Sequence, residues 1–280
     1  MRAIILYNPF VLIMIFLFAG ACGGGKQQDS DAAEIRALAY GEAGGGIEFE
    51  MHRFLRESEG CQEKENRCAR IRAEYPVAES GPKKVRQFIN DTIFHYVVES
   101  LSVYAVSEED LLSNLDSIAG RFIDSYEQYA EGTEDFITAW IVETVGEVLF
   151  QSSKVTSVAL HNYSYTGGAH PNTYIYFLNF DRKRNKLLKI ADIVSNRDKL
   201  KELVEKKFRQ YHQVEEGADL NEAGFFWDKS LFLPANFAIE EKGLFLYYNS
   251  YEAAPYAVGP TEILIPWADL EPILAKNRIF

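Results

Sequence analysis

Two hydrophobic periods divide the chain. Apolar and polar residues alternate from Ile47 to Phe54, and again from Cys68 to Tyr75, where Pro76 is expected to stop the segment. A period of two places alternate side chains on opposite faces of a strand. The spacing then lengthens. After Gly81-Pro82, the residues Val85, Phe88, Ile89, Thr92, Ile93, Tyr96 and Val97 recur at three and four, which predicts one apolar helix face. Ser107 is expected to cap a second helix, with Glu108, Glu109 and Asp110 in its first turn, Leu111, Leu115, Ile118, Phe122 and Tyr126 along its buried stripe, and Gly132 at its end. From Phe136 the period returns to two. Phe136 to Leu149, Val155 to Tyr165 and Thr173 to Asp181 read as strands joined by polar turns, and Lys186 to Leu188 as a short continuation. Ser195, with Asp198 three residues on, predicts a capping box before a helix lined by Leu200, Leu203, Val204 and Phe208. Phe237–Ile239 and Leu244–Tyr248 predict a hairpin. Ile263–Ile265 reads as a last strand, and Trp267–Leu274 as a closing helix.

Strands joined by tight turns, with helices in groups, predict an α+β fold. The expected architecture is an antiparallel curved sheet with helices packed on one face, in two closely associated halves, 47–152 and 153–280. A chain of 280 residues is long enough for such a core.

The chain's first residues do not fit this body. Arg2, an apolar run from Phe10 to Phe18, and Ala19-Gly20-Ala21-Cys22 have the form of a secretory signal. Asn8 and Pro9 keep the run shorter than the roughly 20 apolar residues that a spanning helix needs. Residues 1–21 are therefore expected to be a lipoprotein signal peptide, Cys22 its lipidated residue, and 22–46 a glycine-flanked tether. Three cysteines are an odd number for an oxidising compartment. With Cys22 acylated, Cys61 and Cys68 remain to pair as a disulfide, the expected use of thiols outside the cytoplasm. The expected location is the bacterial cell envelope, periplasmic or surface-exposed, with membrane contact through the lipid.

Composition narrows the partners. The formal charge of −12 argues against nucleic acid, whose binders present a basic face, and would speed encounter with a basic partner. The 16 tyrosines and 19 phenylalanines suit both strands and wet, half-buried binding surfaces.

One segment carries candidate chemistry: Tyr163-Ser164-Tyr165-Thr166-Gly167-Gly168-Ala169-His170-Pro171-Asn172. Gly167 and Gly168 permit backbone angles that other residues resist. They would set His170 at a hairpin tip beside Tyr165 and Tyr174. The same residues are compatible with a tight turn and a structural histidine. His161 and His170 could approach each other on adjacent strands, but no third ligand is evident, so no metal and no cofactor are expected. Asp181, Glu252 and Glu262 include no spacing that selects a catalytic pair. Ser164 with His170 lacks a recognisable orienting acid.

The run Tyr165-Thr166-Gly167-Gly168-Ala169-His170-Pro171, then Leu187-Leu188-Lys189-Ile190-Ala191-Asp192-Ile193, Asn236-Phe237, Gly243 to Tyr248, Tyr251-Glu252-Ala253-Ala254-Pro255-Tyr256-Ala257-Val258-Gly259-Pro260 and Ile263 to Trp267, resembles the RsiV-like extracellular domain family. Tyr75-Pro76, Asn90 and Ile93 resemble the companion domain of those proteins. The resemblance implies an α+β domain outside a membrane. It also implies lysozyme as a possible protein ligand, or association with a peptidoglycan deacetylase domain. Tyr165, Gly167, Gly168, His170, Tyr251 and Tyr256 are the expected ligand-binding residues. The function expected from all of this is non-catalytic binding of a protein or a peptidoglycan-type glycan. The alternative is a cell-wall hydrolase or a deacetylase-associated enzyme.

Overall fold

A computed structural model describes residues 46–61, 67–102, 114–132 and 138–275. The signal peptide, Cys22 and all of the tether but Gly46 lie outside the described residues, as do Ser107, Leu111 and Phe136. No helix of the described residues is long and apolar enough to cross a membrane.

The fold is α+β. Strands β1 (Phe49–Glu57), β2 (Ala69–Ala78), β3 (Trp140–Gln151), β4 (Val155–Tyr165), β5 (Asn172–Asp181) and β6 (Lys186–Leu187) form one sheet in that order. A second sheet holds β7 (Phe237–Ile239), β8 (Gly243–Tyr248) and β9 (Thr261–Pro266). The helices are α1 (Lys83–Ser102), α2 (Leu115–Gly132), α3 (Ile190–Ile193), α4 (Arg197–His212) and α5 (Trp267–Leu270). Cys61 and Cys68 form the expected disulfide between β1 and β2, with both residues buried.

Every strand pair is antiparallel except β2 with β3, which is parallel. The two helices between them supply the crossover that a parallel pair requires. Pro76 does not stop β2. The β1 ladder continues through the Met51–Pro76 pair to Phe49–Ala78, whereas the β3 ladder ends at Glu74–Val145. Glu79 donates to Glu48 O across β1, so the amide position of Pro76 faces away from β1, where no ladder bond is needed. Ala78, two residues on, gives its N–H to Asn90 Oδ1 at 2.7 Å and receives Asn90 Nδ2 at 3.1 Å. Asn90 thus finishes the strand end from α1.

Two hydrophobic cores result among the described residues. Ile89, Ile93 and Val97 of α1, with Ile118 and Phe122 of α2, pack on Ile71, Val142, Leu160 and Phe180 of the large sheet. Val204 and Phe208 of α4 pack on Leu244, Leu246, Tyr248 and Ile265 of the small one. The expected division at 152/153 falls within the β3–β4 hairpin of one continuous sheet. The cap of α4 is Asn196, whose side chain accepts from the Lys199 amide. Ser195 instead donates its hydroxyl to Ile273 O. The closing helix stops at Leu270 and tightens to a 3-10 turn over Glu271–Ile273, because Pro272 has no N–H to continue the α pattern.

The sheets meet edge to edge through asparagines. The outer edge of β5 would leave backbone groups unpaired. Asn249 Oδ1 accepts from the Ile175 amide at 2.8 Å, Asn236 Oδ1 accepts from the Phe177 amide at 2.9 Å, and Asn236 Nδ2 donates to Ile175 O at 2.7 Å. Asn179 of β5 returns the arrangement to β7, donating to Phe237 O at 2.6 Å and accepting from the Ile239 amide at 2.9 Å. Each edge is closed by amide side chains that carry both a donor and an acceptor.

His212 sits at the end of α4 with its Nε2 2.8 Å from Thr261 Oγ1 and its ring 4.5 Å from those of both Phe208 and Phe225. Burial holds its pKa below the ordinary histidine value. The unfolded chain therefore takes up this proton first as pH falls. Stability from the neutral ring is full above about pH 6.5 and is lost as pH drops toward the depressed folded value. Thermal melts from pH 7.5 down to pH 5 should show a larger loss of midpoint for the wild type than for His212→Gln. Parallel pH profiles would remove this role.

Candidate functional site

The β4–β5 hairpin ends in a loop whose backbone requires its glycines. Gly167 and Gly168 have φ of +94° and +107°, angles at which an L side chain is strained. Tyr165 leaves β4 and folds back, donating its hydroxyl to Gly168 O at 3.2 Å. This turn points His170 at a second loop, between β8 and β9.

The second loop supplies Tyr251 and Tyr256, more than eighty positions along the chain. The Tyr256 ring lies flat on His170, with centroids 3.7 Å apart and planes 14° apart. Tyr251 tilts against both, at 6.5 Å from His170 and 5.7 Å from Tyr256. Its hydroxyl is 3.4 Å from His170 Nε2. Pro171 O receives the Tyr256 hydroxyl at 2.9 Å and lies 2.8 Å from His170 Nδ1, so the stack is fixed to the hairpin by its polar ends. Tyr251 is 54% exposed and has φ of +71°, a left-handed angle uncommon for a tyrosine. Glu252 accepts from the Asn249 amide at 3.1 Å and steadies the loop start.

His170, Tyr251 and Tyr256 are thus brought together, with Gly167 and Gly168 shaping the turn. Tyr165 braces the loop and is not in the stack. Tyr174 belongs to a separate group, 5.2 Å from Tyr176, which in turn is 5.1 Å from Tyr96. His161 pairs with Glu147 on β3 at 2.9 Å. Asp181 is buried and receives the amides of Lys183 and Arg184, each at 2.9 Å, so it shapes the β5–β6 turn. Among the described residues, no three His, Cys, Asp or Glu side chains are grouped to hold a metal ion. An exposed face of flat rings with hydroxyl and imidazole edges can stack on an apolar sugar face and hydrogen-bond its rim.

Sequence reasoning singled out neither the asparagines that join the sheets nor Trp227. Asn236 appeared only within a longer resemblance. The aromatic run Phe225-Phe226-Trp227 has no helical or strand period, and that run was the available signal.

Residues 62–173 match the family profile described as "Deacetylase PdaC", and residues 190–268 match that of "Protein of unknown function (DUF3298)". The chain is 25% identical over 213 residues to the peptidoglycan-N-acetylmuramic acid deacetylase PdaC of Bacillus subtilis (strain 168), which covers 71% of this chain and 43% of that protein. The chain thus spans less than half the length of this curated relative. Two crystal structures share the fold. A DUF3298 family member from Bacteroides fragilis NCTC 9343 superposes with a TM-score of 0.65 at 20% identity, over 84% of this chain and 96% of that one. One from Pseudomonas aeruginosa PAO1 superposes with a TM-score of 0.59 at 19% identity, over 86% and 98%. The first profile match ends at residue 173, near the start of β5, and the second begins at 190, so the rest of β5 and all of β6 lie between them.

Proposed function

We propose, on the premise that a PdaC-type segment is followed here by a DUF3298-type segment, that this is a cell-envelope lipoprotein that binds peptidoglycan-type glycan without cleaving it. The observation that carries this reading is the stack of His170 and Tyr256, with Tyr251 held exposed beside it. The peptidoglycan relative supports the choice of ligand class. Rings fixed in advance lose little freedom when a sugar settles on them, which favours binding. Signal cleavage at Cys22 and acylation there would place this face outside the membrane, at the end of a tether.

The test is calorimetric titration of the purified protein with soluble peptidoglycan disaccharide fragments. His170→Ala and Tyr251→Ala should each weaken binding about tenfold, the effect of losing a well-packed aromatic anchor. Melting curves should confirm that both variants fold. Equal affinity in wild type and variants would remove the stack as the site. Release of acetate or of shortened glycan during the titration would favour the alternative, an enzyme of the deacetylase or hydrolase kind.

A basic protein such as lysozyme is the second reading, favoured by the formal charge of −12. Salt separates the two. Salt does not weaken stacking on a glycan whose muramic acid carries a carboxylate, because screening only relieves its repulsion from an acidic protein, whereas attraction between opposite charges weakens as ionic strength rises.

A further inference from the structure

Phe226, Trp227 and Asp228 have φ of +61°, +39° and +62°. Single residues other than glycine visit this left-handed region, and three in succession are unusual. The turn is closed by the Lys229 amide donating to Phe226 O at 3.0 Å, and Asn221 Nδ2 holds its flanks by donating to Phe225 O and Lys229 O. Phe226 is fully buried, its ring 4.9 Å from Phe208 and 5.9 Å from Tyr248. With Phe226 anchored inward, the left-handed turn drives Trp227 outward, where it is 47% exposed. No ring of the described residues packs against it.

This turn is tied to the aromatic site. The Phe226 amide donates to Ala253 O at 2.9 Å, and Ala253 lies two residues after Tyr251. Two exposed aromatics, Trp227 and Tyr251, thus stand on left-handed residues of two loops joined by one backbone hydrogen bond. Counting the intervening covalent and hydrogen-bond lengths, their Cα atoms lie within roughly 18 Å of each other. Their rings do not touch. Strained backbone persists only where its surroundings hold it, and such strain gathers at functional positions.

We infer that Trp227 is a second stacking subsite, displaced from the His170–Tyr251–Tyr256 platform, that selects a glycan longer than one disaccharide. The inference rests on the glycan-binding reading above and adds to it the length of the ligand. A lone platform would bind a disaccharide and a longer chain alike. A platform with a displaced indole gains only when the chain reaches it.

The experiment titrates the full chain with peptidoglycan glycan fragments of two, four and six sugars. Wild type should bind the tetrasaccharide about tenfold more tightly than the disaccharide, the gain from one further aromatic contact. Trp227→Ala should bind the disaccharide as wild type does and lose the gain with length. Trp227→Phe, which keeps a ring, should retain most of it. Tetrasaccharide should also shift the tryptophan emission of wild type and leave that of Trp227→Phe unchanged, since Trp140 and Trp267 remain in both. A length gain that survives Trp227→Ala, or a wild type indifferent to length, overturns the subsite while leaving the platform in place. Failure of wild type to bind any fragment overturns the platform itself, and the subsite with it.

Discussion

Gly243→Ala is expected to lower the unfolding midpoint by on the order of 10 °C, corresponding to about 3 kcal/mol or more in a domain of this size. Gly243 opens β8 opposite Pro266 of β9. A methyl group there would sit 2.1 Å from Ile265 O, 2.8 Å from its carbonyl carbon and 3.0 Å from Pro266 Cα. All three are backbone atoms, so no side chain can rotate away. Relief requires β8 and β9 to separate where Glu240 donates to Gly243 O and Trp267 to Lys242 O. The first bond closes the β7–β8 turn and the second ties that turn to the start of α5, so the damage would spread through the core beneath α4. Gly120, on the exposed side of α2, supplies the contrast. Nothing lies within 4 Å of a methyl group there. Gly120→Ala should be neutral, or stabilising by up to about 1 kcal/mol from the helix preference of alanine. Melting both variants side by side separates the space at position 243 from any general intolerance of alanine.

Asn179→Ala should cost about 3 kcal/mol. The side chain is 2% exposed and makes three hydrogen bonds: to Phe237 O, from the Ile239 amide, and from Ser157 Oγ at 2.7 Å. Alanine would leave a buried carbonyl and a buried amide of β7 without partners, each costing about 1–3 kcal/mol. Asn179→Asp tests the same geometry more finely. A carboxylate can still accept from Ile239 and Ser157, but it meets Phe237 O acceptor to acceptor. It would therefore also destabilise, through a buried charge. Urea unfolding reads the total, and hydrogen exchange at Ile239 reads the location. An Ile239 amide that stays as protected in Asn179→Ala as in wild type would mean that Asn179 does not close this edge.

Both substitutions bear on the candidate site through the same frame. Tyr251 and Tyr256 hang from the β8–β9 loop, and His170 from the β4–β5 hairpin. Asn249 closes the edge of β5 two residues before Tyr251. Loss of the contacts between the sheets would therefore release one half of the aromatic stack from the other. Stability and binding should fall together in Asn179→Ala, whereas Tyr251→Ala should affect binding alone.

Local chemistry was legible in the chain itself. The alternation in Cys68 to Tyr75, the three-and-four spacing from Val85 to Val97, the paired glycines at 167 and 168, and the two cysteines left to bond each other all act over a few residues. Their meaning is fixed by backbone geometry near them, and so they could be read in order. Pro76 shows where that reading stops. A proline ends a strand only if its missing amide is needed, and which side of β2 carries a neighbour is settled by the crossover to β3. The asparagines follow the same rule. Asn179, Asn236 and Asn249 look like ordinary polar residues until two sheet edges are set side by side and their unpaired amides must be met. The folded chain alone brought His170 to Tyr256, and turned Trp227 outward by burying Phe226. Such contacts join positions tens of residues apart, and periodicity carries no information over that distance. Strand order and packing decide them, because every buried backbone group must find a partner once water is gone.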